Sequence, residues 1–187
     1  MFRHASQCIT ALFVICTAHA GLAQQGVFAG TDGNAHFKST APLELIMAKS
    51  QHLRGVLDPE TEEIAFSVRI NSFQGFNSVL QRDHFMENYL EESKFPVATF
   101  KGKVIERVRF AEPGQHHVRV KGIVSLHGFE QERIIPGKLE IIDGIIHITS
   151  KFSIPLKEHA IKVPKLLTQK IAETIFVELD IVMQKIY

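Results

Sequence analysis

Arg82, Asp83 and His84 stand in a row, a base, an acid and an imidazole, which are residue types that general acid–base catalysis uses. They fall in residues 77–92, where Leu80, Phe85, Tyr89 and Leu90 recur at roughly helical spacing, so this segment is expected to be a short helix. Consecutive helical side chains project about 100° apart, so the three cannot converge on one reacting atom. The expectation is therefore structural for two of them: Arg82 and Asp83 fix the helix by capping or ion-pair contacts. His84 is the one expected to face a cavity mouth and touch a polar head group.

The other candidate chemistry is histidine. Beyond residue 23 lie His36, His52, His84, His116, His117, His127, His147 and His159, but none of them falls at the spacing of a zinc motif. His116 and His117 would point to opposite faces of a strand, and His127 before Gly128 is expected to hydrogen-bond within its own turn. There is no nucleophile elbow, phosphate loop or dinucleotide fingerprint. The reading assigns no catalytic residue, no metal and no cofactor. A lipid hydrolase or isomerase would require an acid and a base to meet at one end of a pocket.

The elements that must position these residues follow a leader. Residues 1–23 combine Arg3, an apolar run and small residues at Ala18, Ala20 and Ala23, the pattern of a cleaved secretory signal, with 24–187 as a single domain. The run is too short for a membrane span and no later segment comes closer. Cys8 and Cys16 both lie in the leader, so the remainder has no thiol for a disulfide or a metal. The remainder also carries 20 Lys and Arg against 20 Asp and Glu, a balance that gives no footprint for nucleic acid or an anionic membrane surface. A periplasmic or secreted location is expected.

Alternation with a period of two dominates the domain. Ile64, Phe66, Val68 and Ile70 share one side of a strand, as do Ala98, Phe100, Gly102 and Val104, then Val118 through Leu126, then Ile175 through Met183. Turn signals at Thr31-Asp32-Gly33-Asn34, Asp58-Pro59, Glu112-Pro113-Gly114, Pro136-Gly137 and Asp143-Gly144 separate such runs, the last being the strongest hairpin signal. Residues 164–172 are expected to add a helical turn or two with Leu166, Leu167 and Ile171 inward. Many short strands with little helix predict an all-β, closed antiparallel barrel of about eight strands, with one or two short helices. The in-strand glycines Gly102 and Gly122 imply either a sharp bend or a ligand or helix passing close to the backbone.

Two blocks carry a family resemblance. Arg82-Asp83-His84-Phe85 followed by Asn88-Tyr89-Leu90-Glu91-Glu92-Ser93-Lys94-Phe95-Pro96-Val97-Ala98-Thr99-Phe100-Lys101-Gly102 resembles the YceI-like family, as does Val120-Lys121-Gly122-Ile123-Val124-Ser125-Leu126-His127-Gly128-Phe129. The resemblance covers residues 41–185 and departs from the family pattern at Ile154 to Pro164, where a late "R-x-d-F-G" run is replaced. It implies a lipocalin-like barrel, periplasmic or secreted, whose elongated cavity binds a polyisoprenoid or other lipid-like chain.

Phenylalanine supplies area without a polar handle, and 12 of the 14 lie beyond the leader. The expected cavity lining is Phe66, Val68, Ile70, Phe73, Phe76, Phe85, Tyr89, Phe95, Phe100, Val120, Val124 and Phe152. The function expected is non-enzymatic binding, transport or sequestration of an apolar ligand, whether polyisoprenoid, quinone-like or fatty-acid-like, in the cell envelope. The alternative is a barrel with a filled core acting as an envelope interaction module. The sequence leaves pairing into a homodimer open.

Overall fold

The computed structural model describes residues 26–186, so the expected leader lies outside the described residues. Eight strands close into one antiparallel barrel in the order of the chain: β1 (Phe28–Thr40), β2 (Leu45–Asp58), β3 (Glu63–Arg69), β4 (Val97–Val104), β5 (Gly114–Leu126), β6 (Phe129–Ile142), β7 (Ile145–Pro155) and β8 (Thr174–Lys185), with β8 pairing back on β1. Closure leaves no free sheet edge at the seam. The hairpin expected at Asp143-Gly144 joins β6 to β7, both residues at positive φ (50° and 75°), and His127-Gly128 does the same between β5 and β6 (52° and 75°).

Two turn signals are not turns. Thr31 to Asn34 lies inside β1, where the pairing with β2 shifts register on either side of Gly33, a bulge. The glycines there answer to β8: a Cβ on Gly33 would sit 2.7 Å from Ile181 Cβ, and one on Gly30 2.4 Å from the Val182 carbonyl oxygen. Pro136-Gly137 lies inside β6, at the point where β6 and β7 part. Their pairing runs from Ile142↔Ile145 only as far as Gly137↔Ser150, so Pro136 needs no ladder N–H towards β7.

Beyond that point a 3-10 turn at Leu156–His159 closes the opening between the two strands. Arg133 is ion-paired with Glu158, Gln131 Nε2 donates to the Glu158 carbonyl at 2.9 Å, and a ring nitrogen of His159 meets the Phe129 carbonyl at 3.2 Å. A second opening, between the start of β2 and β3, is covered by residues 70–96. The crossing segment attaches through the Lys49–Gln74 bridge and the Ser50–Ser72 hydroxyl pair at 2.6 Å.

The helix in that crossing segment is shorter than expected. It runs over Val79–His84 as α1 and ends in a wider turn over Phe85–Tyr89. Ser78 caps it, its hydroxyl accepting from Gln81 N at 3.1 Å. Arg82 and Asp83 make no ion pair among the described residues. The side chain that ties α1 to the barrel is Gln81, whose Nε2 donates to Glu44 at 2.8 Å.

The interior divides along the barrel axis. Towards the chain termini and the Asp143-Gly144 hairpin it is solid: Leu57, Ile146, Leu139, Ile181 and Met183 are at most 1% exposed, and Phe110 from the β4–β5 loop packs in among the core. Towards α1 and the β7–β8 connection it is hollow.

Candidate functional site: an apolar chamber in one half of the barrel

The hollow end holds a cavity of about 430 Å³, within the range usual for small-molecule sites. Alternate residues of the strands line it because the period of two turns every second side chain inward. β3 contributes Phe66 and Val68, β4 Ala98 and Phe100, β5 Val124 and Leu126, β7 Phe152 and Ile154, and β8 Ile175, Val177 and Leu179. Ile70, Phe73, Phe76, Phe85 and Tyr89 enter from the crossing segment, and burial raises the Tyr89 hydroxyl pKa. Of the expected lining, ten residues are at the cavity wall.

Phe95 and Val120 are not, and each has a reason. Phe95 turns away to cover the β5–β6 hairpin, where its ring occupies the space beside Gly128, 2.5 Å from where a Cβ would be, and meets the His127 ring edge-on at 5.0 Å between centroids. Val120 lies below the cavity in the solid half. Its Cγ1 would be 2.9 Å from a Cβ on Gly102.

That contact explains the paired glycines. Gly102 and Gly122 are direct partners across β4 and β5, and a Cβ on Gly122 would meet the Lys101 carbonyl oxygen at 2.4 Å and the Phe100 ring at 2.8 Å. The space they give up goes to the facing strand and to the Phe100 and Val120 side chains. A similar device forms the floor. A Cβ on Gly55 would lie 2.3 Å from Met183 Cε and 2.9 Å from the Phe66 ring, so the two side chains meet over the glycine, and the Phe66 ring, which lines the chamber, bounds it from below with Met183 packed behind it.

Near the mouth, four phenylalanines make one cluster. Phe37 stacks on Phe85 with centroids 5.1 Å apart and planes 15° apart, and touches Phe73 and Phe76 at 5.4 and 5.9 Å. Beyond the expected set, Phe37, Ala98, Leu126, Ile154, Ile175, Val177 and Leu179 also stand at the wall, and Phe37 escapes a sequence reading because it follows the turn-like Thr31-Asp32-Gly33-Asn34. Its alternation with Ala35 and Ser39 was the available signal. In the other helical turn, Lys165–Leu167, Leu167 lines the cavity together with nearby Ile171, but Leu166 points out and is 94% exposed, against expectation.

Polar groups gather at the mouth. His84, exposed at the end of α1, lies at the cavity wall with Glu44, Ser78, Gln81 and Lys170. Glu44 is engaged by Gln81 and by Asn77. Ser39 is buried, its hydroxyl accepting from Ala172 N at 2.9 Å and anchoring the β7–β8 connection. Among the described residues no group of three His, Cys, Asp or Glu could hold a metal ion. His116 is half-buried and His117 exposed, in keeping with opposite faces.

His127 reaches well beyond its own turn. One ring nitrogen contacts the His159 carbonyl at 2.9 Å and the other Glu91 Oε2 at 3.0 Å, so the hairpin residue joins the end of the crossing segment to the 3-10 turn that fills the β6–β7 opening. Hydrogen bonds from Lys94 and then His127 hold the Glu91 carboxyl below its ordinary value. His159 is fully buried, and burial lowers its pKa. Nδ1–H donates to the Phe129 carbonyl and Nε2 is buried without a hydrogen-bond partner, so burial disfavours adding a proton to the ring.

A closed eight-stranded meander with one end packed and the other hollow and apolar is a lipocalin-like barrel. The model of the YceI-like domain matches residues 13–183, and the chain belongs to that family. Among solved structures, a polyisoprenoid binding domain from Saccharophagus degradans implicated in plant cell wall breakdown is similar with a TM-score of 0.71 at 14% identity, over 87% of this chain and 99% of that one. BcnA of Burkholderia cenocepacia is similar at TM-score 0.64 and 12% identity, over 80% of this chain and 95% of its own. The Campylobacter jejuni YCEI protein is similar at 0.55 and 8%, over 99% and 94%. Among curated proteins no sequence matches.

Proposed function

We propose that this protein holds an apolar, lipid-like molecule in the open half of its barrel and does so without transforming it. One observation carries the reading: a chamber of about 430 Å³ whose wall below the mouth is almost entirely carbon, closed at one end and open at the other. Burying a methylene contributes roughly 0.8 kcal/mol, so a flexible hydrocarbon of several carbons gains enough to bind without any specific polar contact. The polyisoprenoid class is supported by the similar fold of the Saccharophagus degradans polyisoprenoid binding domain. Glu44, Gln81, His84 and Lys170 stand together at the mouth, so an isoprenoid or fatty-acid chain enters tail first and leaves its head beside His84.

The chamber weighs against the filled-core alternative. A non-enzymatic role is supported by Glu44, the carboxylate at the wall, being occupied by two amide donors. Action outside the cytoplasm is supported by the leader pattern of residues 1–23. The test is organic extraction of protein purified from its host, followed by mass spectrometry. A stoichiometric apolar species is expected, and a chain that is empty and stays empty on incubation with isoprenoid alcohols and fatty acids contradicts the reading.

A further inference from the structure

Three connections form the rim of the chamber and are tied to one another. Leu43 N, in the β1–β2 connection, donates to the Gln169 carbonyl in the β7–β8 connection at 2.8 Å, and Gln81 of α1 donates to Glu44 at 2.8 Å. The rim therefore holds its shape. On it stand Leu166, Val79, Leu43 and Leu80, exposed by 94, 74, 68 and 64%, and these are the four most exposed large apolar side chains among the described residues. Scattered exposed leucines need no explanation, but gathering the extreme cases at one end, around the opening of an apolar chamber, marks a contact surface.

Charge identifies what it contacts. The net charge is close to zero, yet the β7–β8 connection presents Lys157, Lys162, Lys165 and Lys170, all exposed and none in an ion pair among the described residues. Of the carboxylates in this stretch, Glu158 is taken by Arg133, and Glu173 stands at its end. On the neighbouring rim segments Arg82 and Asp83 offset each other, Glu44 is held by Gln81 and Asn77, and Glu87 is exposed just beyond α1, so the positive excess is confined to the β7–β8 connection. Apolar tips beside unpaired lysines fit a surface with an apolar layer under anionic groups.

We propose that this rim docks on an anionic lipid bilayer, with Leu166, Leu43, Val79 and Leu80 entering the interfacial layer and the four lysines meeting the headgroups. Docking so places the chamber mouth against the lipid, and a hydrocarbon chain passes between bilayer and barrel without crossing water. That last consequence rests on the function proposed above, whereas docking does not. Over the whole sequence the charges balance, and the lysine excess belongs to the β7–β8 connection.

The test is co-sedimentation of the purified protein with vesicles of phosphatidylcholine alone and of phosphatidylcholine with phosphatidylglycerol. Binding is expected only to the second, weakened by salt, and at least about tenfold weaker in Leu166→Glu combined with Leu43→Glu and in Lys162→Gln combined with Lys165→Gln and Lys170→Gln. All these positions are exposed, and circular dichroism checks that the variants fold. No binding to the anionic vesicles, or unchanged binding in the leucine variant, overturns the proposal. So does a wild type that ignores vesicles but forms dimers that the leucine variant dissolves, since the rim would then cover a second copy. Ligand content measured on the same samples separates the two readings: a loaded barrel that ignores vesicles refutes docking alone, and a barrel that binds vesicles but never carries lipid supports docking and refutes the cavity function.

Discussion

Phe66 of β3 and Met183 of β8 meet above Gly55 of β2, where a Cβ would stand 2.9 Å from the one and 2.3 Å from the other. This contact is where the hollow half of the barrel ends. Phe66 lines the chamber and Met183 backs it, so the length of hydrocarbon the chamber takes is expected to depend on this pair.

Met183→Ala removes the packing behind that floor. The residue is fully buried, so the change costs about 2–5 kcal/mol of stability. Relative affinity should move towards a geranylgeranyl-length chain over a farnesyl-length one, measured by competition against a fluorescent isoprenoid. An unchanged preference in the folded variant places the end of the chamber elsewhere.

Gly122→Ala puts a methyl group 2.4 Å from the Lys101 carbonyl, and backbone cannot step aside as a side chain can. Overpacking of this kind costs about 1–3 kcal/mol, read as a lower denaturation midpoint in urea. Gly144→Ala has open space for its Cβ, and its cost comes only from the positive φ of 75°. The two variants therefore separate crowding from backbone strain.

His127→Ala releases Glu91 and the 3-10 turn together. Losing a hydrogen bond of about 1.4 kcal/mol corresponds to roughly tenfold faster local opening. Hydrogen exchange should accelerate in residues 85–95 and 156–161 and stay unchanged in the β6–β7 hairpin. Uniform acceleration over the whole barrel would show that His127 supports global stability instead of joining these two segments.

Acid should destabilise the protein through His159. Its folded pKa is lowered by burial, so as pH falls below the ordinary histidine value of about 6.5 the unfolded chain takes up a proton that the folded chain resists. Stability from this group is complete above that value and is lost on the acid side. Thermal denaturation from neutral pH towards pH 5 checks it: His159→Gln, similar in shape and unable to titrate, should lose less of its melting temperature over that interval.

Much of the barrel was legible because alternation is a local signal. Phe66 and Val68, Ala98 and Phe100, and Ile175 through Met183 each show their inward face within one strand. β1 was not, since Thr31-Asp32-Gly33-Asn34 has the composition of a turn and only the bulk of Ile181 on β8 shows why glycines stand there. Phe95 and Phe100 are five residues apart and alike in type, yet Gly128, distant in sequence, draws the first out of the chamber. That the barrel is hollow at one end and solid at the other depends on which inward residues meet at the same height, which register sets and no single strand records.

The most direct test of the cavity is Ala98→Phe, because Ala98 lines the chamber and the larger ring would enter it. Titration of wild type and variant with a fluorescent isoprenoid, with melting temperatures taken on the same samples, should show binding in the wild type and loss of at least tenfold in the variant at undiminished stability. A variant that binds equally well, or one that is destabilised by the 1–3 kcal/mol of an overpacked core, would contradict an apolar chamber with room for a ligand.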